Sequence, residues 1–208
     1  MGEVERDFPL FPLGLVALPT EYVPLHVFEE RYKALLADCL ERDTEFGIVW
    51  AGDDGELKRM GCAVEVARVL ERFDDGRMNV LCQGTRPFRL LEHTGEVPYP
   101  AGTVEWVRDK PEEPSATTAA RARASYTELV AQAADKELAE EEVAEMGAYD
   151  MAATVDFGLD AKQGLLELRS ENARLRLVDR LFRAAMKRLD YVERAEVRAK
   201  SNGKVRFG

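Results

Sequence analysis

Between positions 8 and 108 the apolar residues come in short runs bounded by turn residues, a pattern that predicts strands. FPLFPLGLVALP is apolar but carries Pro9, Pro12 and Pro19. Proline has no N–H for a ladder, so this stretch is expected to be an edge strand or an irregular, bulged one. EFGIVW reads as a short buried strand. GCAVEVARVL and RMNVLCQG flank Phe73-Asp74-Asp75-Gly76, and Asp-Gly between two strand-like runs signals a hairpin. RPFRLLE and GTVEWV are read as two further strands. Turns this frequent suggest a compact barrel or a strongly bent sheet.

One helix interrupts this half. Phe28, Tyr32, Leu35, Leu36, Cys39 and Leu40 share an apolar face at helical period, while Glu29, Lys33, Asp38 and Glu41 take the wet side. DKPEEPSATT, residues 109–118, has almost nothing to bury and reads as a linker. Beyond it the period becomes helical. Residues 119–145 are rich in Ala and Glu. LDAKQGLLEL offers Asp160 as an N-cap with Gln163 three residues on, and Ser170 reads as the next N-cap. Leu175, Val178, Phe182, Ala185, Leu189 and Val192 step by three and four, the seam of a packed bundle helix. The expected organisation is α+β: a barrel over 8–108, a linker over 109–118, a helical bundle over 119–198 and a flexible tail over 199–208.

Charge divides the helical half. Residues 112–171 hold fourteen acids against five bases, and residues 174–206 hold eleven bases against four acids. Mutual neutralisation inside the helical half is one expectation; a basic docking surface for an acidic partner is the other. The whole chain carries a net charge of −10, which disfavours broad nucleic-acid binding. The start, MGEVERDF, lacks the basic and apolar segments of a signal peptide, and no apolar run reaches membrane-spanning length. A cytoplasmic protein is expected. Cys39, Cys62 and Cys82 form no metal-type pair and read as buried thiols.

Motifs for chemistry are sparse. The only histidines are His26 and His93, so no H-E-x-x-H or closely spaced Cys/His set exists. None of Ser115, Ser125, Ser170 and Ser201 lies in G-x-S-x-G. No phosphate-binding glycine loop appears, since Gly203-Lys204 is followed by Val205. No cofactor is expected. YVPLHVFEERY places His26, Glu29 and Arg31 at the mouth of the helix. Two readings stand there: a His-Glu-Arg reaction centre, or a junction where His26 bonds backbone, Glu29 favours the helix dipole and Arg31 pairs with an acid across the domain.

The same stretch carries a resemblance. FPLFPLGLVALPTEYVPLHVFEERYKALLADCLERDTEFGIV is similar to the opening of the Lon protease N-terminal, or substrate-binding, domain family, through Phe11, Pro12, Leu13, Pro19, Pro24, Leu25, His26, Phe28, Glu29, Arg31, Tyr32, Phe46 and Gly47. GCAVEVARVLERFDDGRMNVLCQGTRPFRLLE follows the family layout with Gly76, Arg77, Gly84, Arg86, Phe88 and Arg89 in place. YPAGTVEWV resembles the closing strand, and DAKQGLLEL with ARLRLVDRLF resembles the following helices, so the likeness spans about residues 8–192. Glu30 departs from the pattern, where the family commonly has proline, and the ALPTEYVP connection is short.

The resemblance implies a PUA-like bent β-barrel with one embedded helix, then a helical bundle. It implies a non-catalytic polypeptide-binding module, a stand-alone member without the ATPase and Ser-Lys peptidase parts. Unfolded or extended polypeptides, or a partner protein, are the implied partners. Leu15, Val16, Leu18, Tyr22 and Val23 are the candidate contacts, and His26, Phe28, Glu29 and Arg31 the candidate junction. Two alternatives remain at this stage: an RNA-binding PUA-like protein, and a small hydrolase with a scattered site near His26.

Overall fold

A computed structural model of the chain describes residues 2–52, 54–95 and 98–202. Among the described residues, six strands and six helices follow in the order β1 (Val4–Leu13), β2 (Tyr22–Val27), α1 (Glu30–Arg42), β3 (Phe46–Ala51), β4 (Leu57–Arg72), β5 (Met78–Gly95), β6 (Ala101–Trp106), α2 (Ala116–Ala134), α3 (Glu140–Val143), α4 (Ala148–Ala152), α5 (Leu159–Glu167) and α6 (Glu171–Asn202). The fold is mixed α+β, with a six-stranded sheet ordered β2-β5-β4-β3-β1-β6. β6 also pairs with β5, so the sheet curls until these strands meet, with β2 outside that ring of pairs. RPFRLLE is no separate strand. It is the second half of β5, which pairs with β2 over residues 78–83 and with β6 over residues 88–95.

β1 is not an edge strand; of the two readings its prolines allowed, the irregular, bulged one holds. It runs parallel to β3 over residues 10–13 and antiparallel to β6 over residues 4–9. The two partners thus take different halves of the strand, and each proline faces a ladder that runs along one side only. The expected bulge is present between Glu5 and Phe8, where Asp7 turns to φ 55°. The Asp-Gly hairpin also forms: Gly76 takes φ 82° and donates to Phe73 O at 3.0 Å, and Phe73 N donates to Arg77 O at 2.9 Å.

Alternation along the strands sorts side chains into two apolar clusters. Phe8, Leu10, Val49, Ala63, Phe88, Val104 and Trp106 come only from the five strands of the ring and fill its inside. Phe8 meets Phe88 and Trp106 edge-on, at 5.6 and 5.2 Å between centroids. Glycine leaves room for this ring: a Cβ at Gly47 or Gly61 would lie 2.6 or 2.5 Å from Phe88. The other face of the strands, with Phe46, Ile48, Cys62 and Val64, joins Leu35 and Leu36 of α1 and Met151, Leu165, Val178 and Phe182 of the helical half in one larger cluster.

Polar links tie the halves together. Gln163 Nε2 donates to Met60 O at 3.2 Å, and the largely buried Lys162 and Glu21 side chains pair. Arg174, only 4% exposed, reaches Asp109, Glu171 and the Leu168 carbonyl, and its guanidinium lies 4.6 Å from the Tyr149 ring centre. α2 begins inside the stretch read as linker, with Ser115 as its N-cap accepting from Thr118 N. Ser170 caps α6 by accepting from Ala173 N at 3.1 Å. Asp160 is not a cap: α5 starts after Gly158, at φ 82°, and Asp160 sits in its first turn. α6 runs to Asn202, so four positions of the expected tail are helical; residues 203–208 lie outside the described residues.

Neutralisation between the two charged segments takes two forms. Arg174 of the basic segment pairs with Glu171 of the acidic one, as expected, and an ion pair between α2 and α6 runs the other way, joining Arg121 of the acidic segment to Asp179 of the basic one at 2.9 Å. Leu175, Val178 and Phe182 of the α6 seam are buried, whereas Leu189 and Val192 are exposed.

Candidate functional site

β2 alternates without a break. Val23, Leu25 and Val27 point into the core, and Tyr22, Pro24 and His26 point out. The strand pairs with β5 on one side and ends the sheet on the other. Register sets Tyr22 beside Gln83, Pro24 beside Leu81 and His26 beside Asn79. Phe28 continues the outward row just beyond the strand. Tyr22 is 56% and Phe28 60% exposed, large values for aromatic side chains.

His26 belongs to this surface. Its Nδ1 lies 2.6 Å from Asn79 Oδ1, and Asn79 Nδ2 donates to Glu71 Oε2 at 2.9 Å. The row crosses three strands, and its partner for His26 is a side chain, not the backbone expected at the junction. The ring stacks on Phe28 at 5.9 Å and meets Phe73 edge-on at 6.2 Å. Arg77 lies 5.0 Å from the Phe73 ring centre and is held by Asp75. The result is an aromatic patch, Phe28-His26-Phe73, at the foot of the β4–β5 hairpin, continuing along β2 through Pro24 and Leu81 to Tyr22.

The helix entry differs from the sequence reading. Phe28 is not on the buried face of α1; it precedes the helix and faces solvent. Glu29 is the N-cap, but its side chain caps nothing: it pairs with Arg31 at 3.0 Å. Arg31 thus bonds Glu29, two residues away in sequence, and its guanidinium lies 4.6 Å from the Tyr32 ring centre. Tyr32 in turn stacks on Phe11, at 3.9 Å, which anchors the helix on β1.

Of the five candidate contacts, Val16, Leu18 and Val23 are core residues, Leu15 is half-buried, and Tyr22 is open. Burial of the connection follows from its links: Leu18 N donates to Glu21 Oε2 at 2.9 Å, and Glu21 pairs with Lys162. Phe73, Asn79 and Leu81 complete the surface and were missed in the sequence. Counting forward from the Asp-Gly turn sets Asn79 and Leu81 on one face of β5, but their place beside the β2 row depends on a pairing the hairpin does not fix. Among the described residues, no three His, Cys, Asp or Glu side chains converge as metal ligands. Nor is any helix of the described residues long and apolar enough to cross a membrane.

Comparison with known proteins places this geometry. The family model of the ATP-dependent protease La (LON) substrate-binding domain matches residues 7–183. The chain belongs to that family. It is 28% identical over 193 residues to Lon protease 2 of Myxococcus xanthus and, by the same measure, to Lon protease of Anaeromyxobacter dehalogenans. Each alignment takes 85% of this chain and 23% of the relative, so the chain spans about a quarter of the length of these curated relatives. A Lon N-terminal domain protein from Xanthomonas campestris superposes with TM-score 0.63 at 26% identity, covering 82% of this chain and 95% of that one. The N-terminal domain of a Mycobacterium avium complex Lon protease shares the fold, with TM-score 0.62 at 19% identity over 85% of this chain and 98% of that one. The Lon-type pattern from Pro24 to Tyr32 thus falls on the outward row of β2 and the start of α1.

Proposed function

We propose that the chain is a non-catalytic, cytoplasmic module that binds extended or unfolded polypeptides along β2. The observation that carries this reading is the open aromatic row, Tyr22 and Phe28 with His26 between them, on a strand that ends its sheet. An extended peptide adds to such an edge through main-chain hydrogen bonds and sets alternate side chains against the exposed row. Proline at position 24 offers no N–H to a neighbour, so recognition leans on side-chain contact around it. Membership of a family named for substrate binding supports the same reading.

The test is titration with unfolded proteins and short hydrophobic peptides, followed by fluorescence anisotropy. Saturable binding is expected, and Tyr22→Ala or Phe28→Ala should each weaken it about ten-fold, as loss of a large buried aromatic contact does. The melting temperature should hold in both variants, because both side chains already face water. Flat titrations, or unchanged affinity in both variants, would sink the proposal.

A further inference from the structure

α2 and α6 run parallel, aligned by Ser115 N to Asn172 Oδ1 at 2.7 Å, Ser125 Oγ to Asp179 Oδ1 at 2.6 Å and Gln132 Nε2 to Asp190 Oδ1 at 2.5 Å. Along their N-terminal parts lies a cleft of about 470 Å³, with Thr117, Thr118, Arg121, Arg176 and Arg180 in its wall. The carboxylate in that wall, Asp179, is already engaged by Ser125, Arg121 and Arg183. The nearby acids at the head of α6 are engaged elsewhere: Asp109 and Glu171 hold Arg174, and Glu112 takes Ser170. Arg176 and Arg180 have no hydrogen-bonding or ionic partner among the described residues. They stand one helical turn apart, where like charges repel. A chain of net charge −10 thus keeps two bare, mutually repelling guanidinium groups beside an open cleft.

We propose that this cleft binds a phosphate-bearing group. Guanidinium forks match phosphate oxygens two at a time, and the Thr117 and Thr118 hydroxyls supply further donors. Bound phosphate would relieve the Arg176–Arg180 repulsion. The site lies on the helical half, apart from the β2 row, so the two readings stand or fall separately. A free phosphate compound and a phosphorylated side chain of a polypeptide share this chemistry.

The intact chain is titrated with inorganic phosphate at constant ionic strength and followed by amide NMR. Saturable shifts are expected at Thr117, Thr118, Arg176 and Arg180. The double variant Arg176→Ala/Arg180→Ala should bind about ten-fold or more weakly, given the strength of charge-assisted hydrogen bonds. Its melting temperature should not fall, because neither side chain loses a partner. Two further arms use a phosphoserine peptide and a nucleoside monophosphate. Tighter binding of the peptide than of phosphate assigns the polypeptide source, and tighter binding of the nucleotide assigns the small-molecule one. Shifts that rise linearly without saturating, that sodium chloride reproduces, or that survive in the double variant overturn the proposal.

Discussion

Gly84→Ala is expected to be among the most damaging single-methyl changes in this protein. A Cβ at position 84 would lie 2.0 Å from the carbonyl oxygen of Leu18 and 2.8 Å from its carbon. Carbon makes favourable contacts at about 3.5–4 Å, so the two backbones would have to part by more than about 1 Å. They are not free to part. Thr20 N donates to Gly84 O at 2.8 Å, and Gly84 N donates to Glu21 O at 2.9 Å. Leu18 is fully buried, and Glu21 is held by Lys162. Gly84 is not among the positive-φ glycines, so the penalty is steric, not conformational. Overpacking costs about 1–3 kcal/mol and each weakened backbone hydrogen bond about 1 kcal/mol, which gives about 3–5 kcal/mol for the variant. Urea unfolding followed by circular dichroism measures it as a lower midpoint at unchanged slope. Gly95→Ala is the control: nothing lies within 4 Å of a Cβ there, and a change within about 0.5 kcal/mol is expected. A Gly84→Ala stability within about 1 kcal/mol of the control would show that residues 18–21 yield, and would refute the reasoning.

Phe88→Ala should cost about 3–5 kcal/mol by the same measurement, because its ring is fully buried inside the curled sheet, while Phe28→Ala should stay within about 0.5 kcal/mol. At Asp179 burial pushes the carboxyl up, but the Ser125 hydroxyl with Arg183 and Arg121 outweighs it and holds the group below its ordinary range. Its contribution is therefore present above the ordinary carboxylate range and is lost as pH falls through the lower folded value. Asp179→Asn should lower stability at neutral pH and flatten the acid limb of a stability-pH profile; an unchanged limb contradicts the assignment. Burial pushes Cys82 up to about 12 and raises Cys39 and Cys62 as well, so all three thiols should react with a disulfide reagent at pH 8 only as fast as the protein opens. Rapid labelling of the folded chain would contradict it.

What the sequence showed well was local. The apolar face of α1 from Tyr32 to Cys39 and the Asp-Gly turn follow from a period of 3.6 and from turn chemistry that needs no distant partner; the alternation of β2, equally local, went unread, and it sets Tyr22 and Val23 on opposite faces. What it hid was tertiary. Pro87 breaks the pattern of β5, yet the strand continues because its partners change from β2 to β6 around that point. Phe28 keeps helical spacing with Tyr32, but the chain enters α1 only at Glu30, so the ring is left on the surface with His26. Val16 and Leu18 look like residues of an open loop. They are buried because Glu21 turns back to bond Leu18 and to meet Lys162, 141 positions away.

The recognisable pattern is itself largely a steric one. Gly47 and Gly61 admit the Phe88 ring, and Gly84 admits the Leu18 peptide, so three glycines in three different strands set how closely the curled sheet packs on itself and on the 15–21 connection. Once that connection is pinned, Tyr22 starts β2 in one register against Gln83, and alternation delivers Pro24, His26 and Phe28 to the same outer face. The resemblance carried in part by His26, Glu29 and Arg31 therefore reports on how β2 and α1 are placed. Its consequence for binding lies in side chains those positions leave exposed, Tyr22 and Phe28 above all, whose chemistry can vary without disturbing the packing beneath.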